Sequence, residues 1–365
     1  MATRVTLIVG ARPNFMKAAP LVRALRKHPD RFKPSLIHTG QHYDAKLSQL
    51  FFDELKMEPP DVYLGVGSST HAQQTASIMI DLEKLWMKDA PDLVVVFGDV
   101  NSTMAAALVA AKLQIKLAHV EAGLRSFDPA MPEEINRIVT DRLSDYLFVS
   151  EQSGLDNLAS EGVATGRVFF TGNIMIDSLV ASLEACEKSD TLERYSLRPG
   201  EYAVVTMHRP SNVDDTNLLR QLLELMNDVG RSIPIVFPCH PRTRKEMERL
   251  GTPIDDGSGL RIIEPIGYLE FLRLQSQAKF VLTDSGGIQE ETTYLQIPCI
   301  TMRNNTERPS TTAIGSNVLT GPDPAKIRKA IQGILDGSHR RGTIPPLWDG
   351  RTAERIVNHL LNLCP

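Results

Sequence analysis

The chain of 365 residues is longer than one typical hydrophobic core accommodates and suits two domains. Its 40 basic and 44 acidic residues leave a net charge of -4, and no Lys/Arg block offers a track for nucleic acid or anionic lipid, so the expected partner is a small molecule. Cys186, Cys239, Cys299 and Cys364 lack Cys-x-x-Cys spacing and no run of about eighteen apolar residues occurs, which argues against a disulfide framework, a thiolate zinc site or a membrane span, and for a reducing, cytoplasmic setting.

In chain order, short Val/Ile/Leu/Phe runs predict strands over residues 5–9, 35–38, 93–97, 116–120, 146–149 and 168–171. Stretches 16–27, 102–113 and 134–143 carry apolar residues at helical spacing, as crossover helices should. A helix over 175–187 and a polar linker over 188–200 follow. The same rhythm resumes with strands at 202–206, 234–237, 261–263, 280–283, 298–301 and 317–320, and with helices at 216–229 and 269–278. A last helix spans 353–361. The expected fold class is α/β, with two Rossmann-like doubly wound parallel sheets facing each other across a cleft. The expected domains are 1–173, with 352–365 packing back on it, and 174–351.

Ligands of open parallel sheets collect beyond the carboxyl ends of strands, and those positions are polar here. In the first half they are Gly10-Ala11-Arg12-Pro13-Asn14-Phe15-Met16-Lys17, Thr39-Gly40-Gln41-His42, Gly98-Asp99 and Glu121-Ala122-Gly123-Leu124-Arg125. In the second half they are His208-Arg209-Pro210, Cys239-His240-Pro241-Arg242, Thr283-Asp284-Ser285-Gly286-Gly287 and Arg303 onward to Arg308-Pro309. The Asp-Ser-Gly-Gly turn leads from a buried strand into a helix start, where closely approachable amides and a positive dipole end suit a diphosphate. The same four residues also cap ordinary helices.

Each residue also has a plain structural reading. Arg12 and Lys17 suit a phosphate or carboxylate, or simply a solvated helix start. Asp99 could cap the helix opening at Ser102. Glu121 needs a partner, for which Arg125 is the nearest cation, while Glu133 and Glu134 could be first-turn acids with Arg137 pairing to Glu133. The sum of three carboxylates and His208 at rim positions nevertheless points to proton transfer. Gly65-Val66-Gly67 lacks a third glycine, and Walker, His-Glu-x-x-His and Gly-x-Ser-x-Gly patterns are absent, so no cofactor and no metal is expected.

Taken together, these blocks, with Pro132-Glu133-Glu134, Asn136-Arg137, Thr171-Gly172-Asn173 and Thr306-Glu307-Arg308-Pro309, make a chain that nearly end to end resembles the non-hydrolysing UDP-N-acetylglucosamine 2-epimerases, which share the GT-B architecture. The resemblance implies Arg12, His208, Ser285, Gly286, Gly287, Glu291 and Arg308 as ligands of UDP, with Phe271 near the uracil and Lys17 and Arg137 in the substrate site. It implies Asp99, Glu121 and Glu133 as the catalytic acids and a homodimer as the assembly. It further implies reversible inversion at C2 by anti elimination of UDP to a glycal and re-addition. Departures from the family pattern are Pro13-Asn14 in place of Pro-Glu and Pro210-Ser211-Asn212 in place of Glu-Asn. A related branch acts on UDP-diacetamido uronic acids, whose extra carboxylate Arg209 or Lys17 could meet. Asp44 and a Gly67–Gln74 segment without arginine argue against activation by a second substrate molecule. A GT-B glycosyltransferase, a hydrolysing epimerase and a non-catalytic nucleotide-sugar sensor are the remaining alternatives.

Overall fold

The computed structural model describes residues 1–41, 57–251 and 257–364, the side chain of Arg12 excepted. His42 and Asp44 lie outside the described residues. The chain divides into two compact units, Met1–Ala181 joined by the segment from Pro346 onward, and Ser182–Pro345.

The first unit contains β1 (Thr3–Val9), α1 (Arg12–Arg26), β2 (Phe32–His38), β3 (Val62–Tyr63), α2 (His71–Lys88), β4 (Leu93–Phe97) and α3 (Asn101–Lys112). It continues with β5 (Lys116–Ala122), α4 (Pro132–Leu143), β6 (Tyr146–Val149), α5 (Gln152–Ser160), β7 (Val168–Phe170) and α6 (Ile174–Glu187), in which the division falls. Its parallel sheet runs in the order β3-β2-β1-β4-β5-β6-β7. All five residues of β4 are fully buried, as a central parallel strand covered on both faces requires. Val94 and Val96 meet Ile78, Leu82 and Trp86 of α2 and the alanines of α3.

The second unit holds α7 (Thr191–Arg194), β8 (Ala203–Thr206), α8 (Pro210–Val213), α9 (Thr216–Gly230), β9 (Ile235–Pro238), α10 (Pro241–Leu250), β10 (Leu260–Ile263) and α11 (Tyr268–Ser276). After these come β11 (Phe280–Thr283), α12 (Gly286–Leu295), β12 (Cys299–Thr301), α13 (Pro309–Ala313), β13 (Asn317–Leu319) and α14 (Pro324–Leu335). The sheet order is β10-β9-β8-β11-β12-β13, again parallel. Its central strands are largely apolar because alternate residues feed two cores. Val205, Phe237 and Leu282 pack against the leucines of α9 and the isoleucines of α14, while Val204, Val236 and Val281 pack against Leu274, Leu192 and Leu197. Asp215 accepts from the backbone N–H groups of Asn217 and Leu218 and fixes the start of α9.

The stretch 188–200 carries the short helix α7, whose Leu192 is buried in the second core, so it is packed structure and not a bare linker. The last helix, α15 (Thr352–Leu363), packs on α1. Asp177 of α6 accepts from the Thr352 and Ala353 amides, which supplies the cap that α15 lacks in its own sequence. No helix among the described residues is long and apolar enough to cross a membrane.

Candidate active site

In both sheets the strand order reverses at one point, between β1 and β4 in the first unit and between β8 and β11 in the second. The carboxyl ends flanking such a reversal diverge and leave a crevice. Asp99 follows β4 at such an end, as His208 follows β8 and Ser285, Gly286 and Gly287 follow β11.

In the first unit α1 opens earlier than its apolar spacing indicates, at Arg12, with Ala11 as an N-cap residue that has no side chain to cap with. Asn14 does that work: its Oδ1 accepts from the Gly10 and Ala11 amides at 3.2 and 3.1 Å, and its Nδ2 donates to the Phe97 carbonyl at 3.1 Å. A glutamate there could accept but not donate to β4. The side chain of Arg12 lies outside the described residues.

One turn into α1, Lys17 is buried and donates to Glu121, which is equally buried. This corrects the expectation that Arg125 neutralises Glu121. Arg125 instead forks onto Asp141 at 2.7 Å and Glu161 at 2.8 Å. Glu121 also lies inside β5, not after it, at a register shift between Val120 and Ala122. Its φ of +76° is in the left-handed region, uncommon for a residue with a Cβ. Strained backbone of this kind persists where surrounding contacts over-determine it, and the bulge sends the Glu121 carboxylate to Lys17. Gly98 is the floor of this pair: at φ +61°, a Cβ there would lie 2.9 Å from Lys17 Nζ and 3.1 Å from Glu121 Oε2.

Asp99 does not cap α3, whose N-cap residue is Val100. It accepts from Arg137 at 2.6 Å, and its own carboxylate stays partly exposed. Arg137 also donates to Glu134 at 3.1 Å, so its partners are Asp99 and Glu134 and not Glu133. Glu133 is exposed in the first turn of α4. The expectation that α4 carries an apolar inner face is overturned. Glu134, Asn136, Arg137, Thr140 and Asp141 are its buried residues, and Ile135 and Ile138 are exposed. The reason is location: the helix covers polar strand ends, so polar side chains are matched to polar partners there. Glu134 accepts from the Ser126 and Phe127 amides, and Asn136 donates to the Asp99 carbonyl.

The turn expected to suit a diphosphate lies in the second unit. Ser285 is the N-cap residue of α12 and makes no side-chain cap, so the first-turn amides of Gly286, Gly287 and Ile288 have no capping acceptor. The preceding Asp284 is fully buried. It accepts from the amides of His208 and Arg209 at 2.9 and 2.8 Å and from Asn212 at 3.1 Å, and it pairs with His208 Nδ1 at 2.9 Å. Burial would raise the Asp284 carboxyl, but the bond to His208, its charge and the two amides outweigh that and hold it below the usual carboxylate range.

Arg308 lies under Gly286, its guanidinium 3.5 Å from where a Cβ would stand. It pairs with Glu290 at 2.6 Å and Glu307 at 2.7 Å. Glu291 is held on α12 by Tyr268 Oη at 3.1 Å and Gln275 Nε2 at 3.0 Å. Phe271, on the α11 that carries both of these donors, packs partly buried on the smaller core.

Sequence reasoning passed over His119, Asp141 and the single-residue role of Asp284. Two signals were available. A histidine inside the apolar β5 run must find acceptors, and Glu134, Arg137 and Asp141 recur at helical spacing on one face.

The match to known proteins runs the same way. Residues 23–361 match the family model described as UDP-N-acetylglucosamine 2-epimerase. A UDP-N-acetylglucosamine 2-epimerase of Methanocaldococcus jannaschii is 41% identical over 98% of this chain and 98% of its own. A UDP-2,3-diacetamido-2,3-dideoxy-D-glucuronate 2-epimerase of Pseudomonas aeruginosa is 39% identical over 99% of this chain and 100% of its own. The crystal structure of the M. jannaschii enzyme in complex with UDP-GlcNAc and UDP superposes with a TM-score of 0.90 at 40% identity, covering 99% of this chain and 100% of that one. The two parallel α/β sheets of this chain, of seven and six strands, make a GT-B-like fold that the M. jannaschii structure matches. On motif, fold and identity over nearly its whole length, the chain belongs to the UDP-N-acetylglucosamine 2-epimerase family, a family of isomerases.

Proposed function

We propose that the protein interconverts UDP-N-acetylglucosamine and UDP-N-acetylmannosamine by losing UDP from C1, passing through a glycal, and adding UDP back. One observation carries this reading: Asp99 and Glu121, each bonded to a buried cation, stand at the carboxyl ends of adjacent strands β4 and β5.

The C2 proton is next to no carbonyl and is barely acidic. Its removal therefore goes with departure of the C1 substituent: the C2–H pair forms the C1–C2 double bond, the C1–O pair leaves with UDP, and an acidic side chain takes the proton. Negative charge then grows on the diphosphate. The Gly286, Gly287 and Ile288 amides, the Ser285 hydroxyl and His208 are the groups suited to receive it. Arg12 and Arg308 are assigned to the same nucleotide on the family resemblance, Arg308 standing behind Gly286 beside Glu307 and Glu290. Asp284 engages His208 Nδ1 and leaves Nε2 as the nitrogen for the ligand. Glu291 is assigned to the UDP moiety and Phe271 to the uracil.

Inversion needs proton transfer on opposite faces of C2, so two groups share it. Asp99 and Glu133 are assigned that work, and Glu121 with Lys17 orients the sugar. The identity to relatives named for UDP-N-acetylglucosamine supports this substrate, and the 39% identity to the diacetamido-glucuronate enzyme supports the rival one. Comparing kcat/KM for the two UDP-sugars decides between them. A preference of 100-fold or more for the uronate, about 3 kcal/mol, would replace the proposed substrate.

A further inference from the structure

His119 is fully buried in the middle of β5, and both of its ring nitrogens meet acceptors. Nδ1 lies 2.6 Å from an Asp141 carboxylate oxygen, and Nε2 lies 2.8 Å from the Gly98 carbonyl oxygen. A neutral ring can donate only once and would turn a lone pair on the other acceptor, so satisfying both contacts takes a proton on each nitrogen.

The partners are also informative. Gly98 immediately precedes Asp99, and it floors the Lys17–Glu121 pair. Asp141, with its second oxygen, accepts from the Gly123 amide at 3.1 Å and from Arg125 at 2.7 Å, which fixes the turn that follows Glu121. One imidazole ring therefore ties the turn bearing Asp99 to the turn that closes the Glu121 bulge. Buried charge of this kind contributes little net stability, but it specifies a geometry.

We propose that His119 is a positioning residue, a doubly protonated bridge from Asp141 to the Gly98 carbonyl that sets the placement of Asp99 relative to Glu121. The proposal rests on the roles assigned above to those two carboxylates.

Two substitutions separate the halves of the bridge. His119→Gln places an amide donor near the position of Nε2 and keeps the bond to Gly98, whereas His119→Asn places one near Nδ1 and keeps only the bond to Asp141. Expected is a loss of roughly 100-fold in kcat for His119→Asn, the scale of a 1 Å misplacement, with UDP affinity unchanged by calorimetry. His119→Gln breaks the other half, the bond to Asp141, and is expected to lose kcat on a comparable scale, again with UDP affinity unchanged. A kcat that stays at the wild-type level in both variants, or that falls only as their melting temperatures fall, overturns the proposal.

Asp99→Asn, measured alongside, keeps the two claims apart. If it retains turnover, the assignment of Asp99 and the positioning role built on it both fall. If it is inactive while His119→Asn turns over normally, only the positioning role falls. Wild-type protein labelled with nitrogen-15 at histidine gives a check that does not depend on any variant folding. Two protonated ring nitrogens are expected for His119, and a bare one contradicts the bridge.

Discussion

Lys17 and Glu121 form an ion pair in which both side chains are almost wholly buried, with relative exposures of 6% and 4%. They come from elements separated by more than a hundred residues and meet over Gly98, on backbone that Glu121 holds at a positive φ. Removing either partner takes away the other's buried counter-charge, and the chemistry proposed above depends on where the Glu121 carboxylate is held.

Lys17→Met tests the pair. Truncating one partner of a buried ion pair costs about 3–5 kcal/mol, so a clear drop in the urea midpoint of the first unit is expected together with a large loss of kcat. A double variant, Lys17→Met with Glu121→Gln, regains much of the midpoint and none of the activity. Equal midpoints for the single and double variants would show that the pair is not coupled.

Gly98→Ala puts a methyl against Lys17 Nζ and Glu121 Oε2 and a Cβ on left-handed backbone. The backbone strain alone costs about 1–2 kcal/mol. The expected signature is a fall in kcat well beyond that in stability, with UDP affinity retained. Wild-type kcat in a folded Gly98→Ala protein would remove Gly98 from the site.

The second unit has an acid limit set by Asp284. Its carboxyl is depressed below the ordinary value by His208 and the amides, so the unfolded chain binds this proton more tightly. Its stabilisation is complete above roughly pH 4, the unfolded range, and is lost as pH falls through the lower folded value. Asp284→Asn should abolish that part of the acid dependence, weaken UDP binding by freeing the His208 ring, and mimic His208→Ala in activity. Unaltered UDP affinity in Asp284→Asn would contradict the orienting role.

Asp177 has the opposite sign. Burial raises it to about 6 although two backbone amides donate to it. The folded state therefore binds its proton more tightly than the unfolded chain, and stability falls as pH rises from about 4 to about 6. Relative to Asp177→Asn, wild-type protein should lose on the order of 2 kcal/mol across that interval and nothing further above it. Parallel midpoint-versus-pH curves for the two proteins would refute the shift.

Much of this was legible in the sequence because parallel strands covered on both faces read as continuous apolar runs. Leu93–Phe97 and Phe280–Thr283 are such runs, and the polar residues after them mark the strand ends. What stayed hidden follows from partners being chosen in three dimensions. Arg125 is the nearest cation to Glu121 along the chain, yet the bulge turns Glu121 towards Lys17 and leaves Arg125 to Asp141 and Glu161. The helix expected over 134–143 forms, opening two residues earlier at Pro132, but periodicity alone could not say that its inner face would be polar. The two-residue strand Val62–Tyr63 is shorter than any pattern of alternation can reveal.

Solvent isotope exchange bears most directly on the proposed reaction. The protein is incubated with UDP-N-acetylglucosamine in deuterium oxide, and the sugar is read by NMR. Expected is one solvent deuteron at C2 of both epimers, with exchange abolished in Asp99→Asn and Glu133→Gln. Formation of UDP-N-acetylmannosamine with protium retained at C2 would contradict proton removal from that carbon, and with it elimination through a glycal.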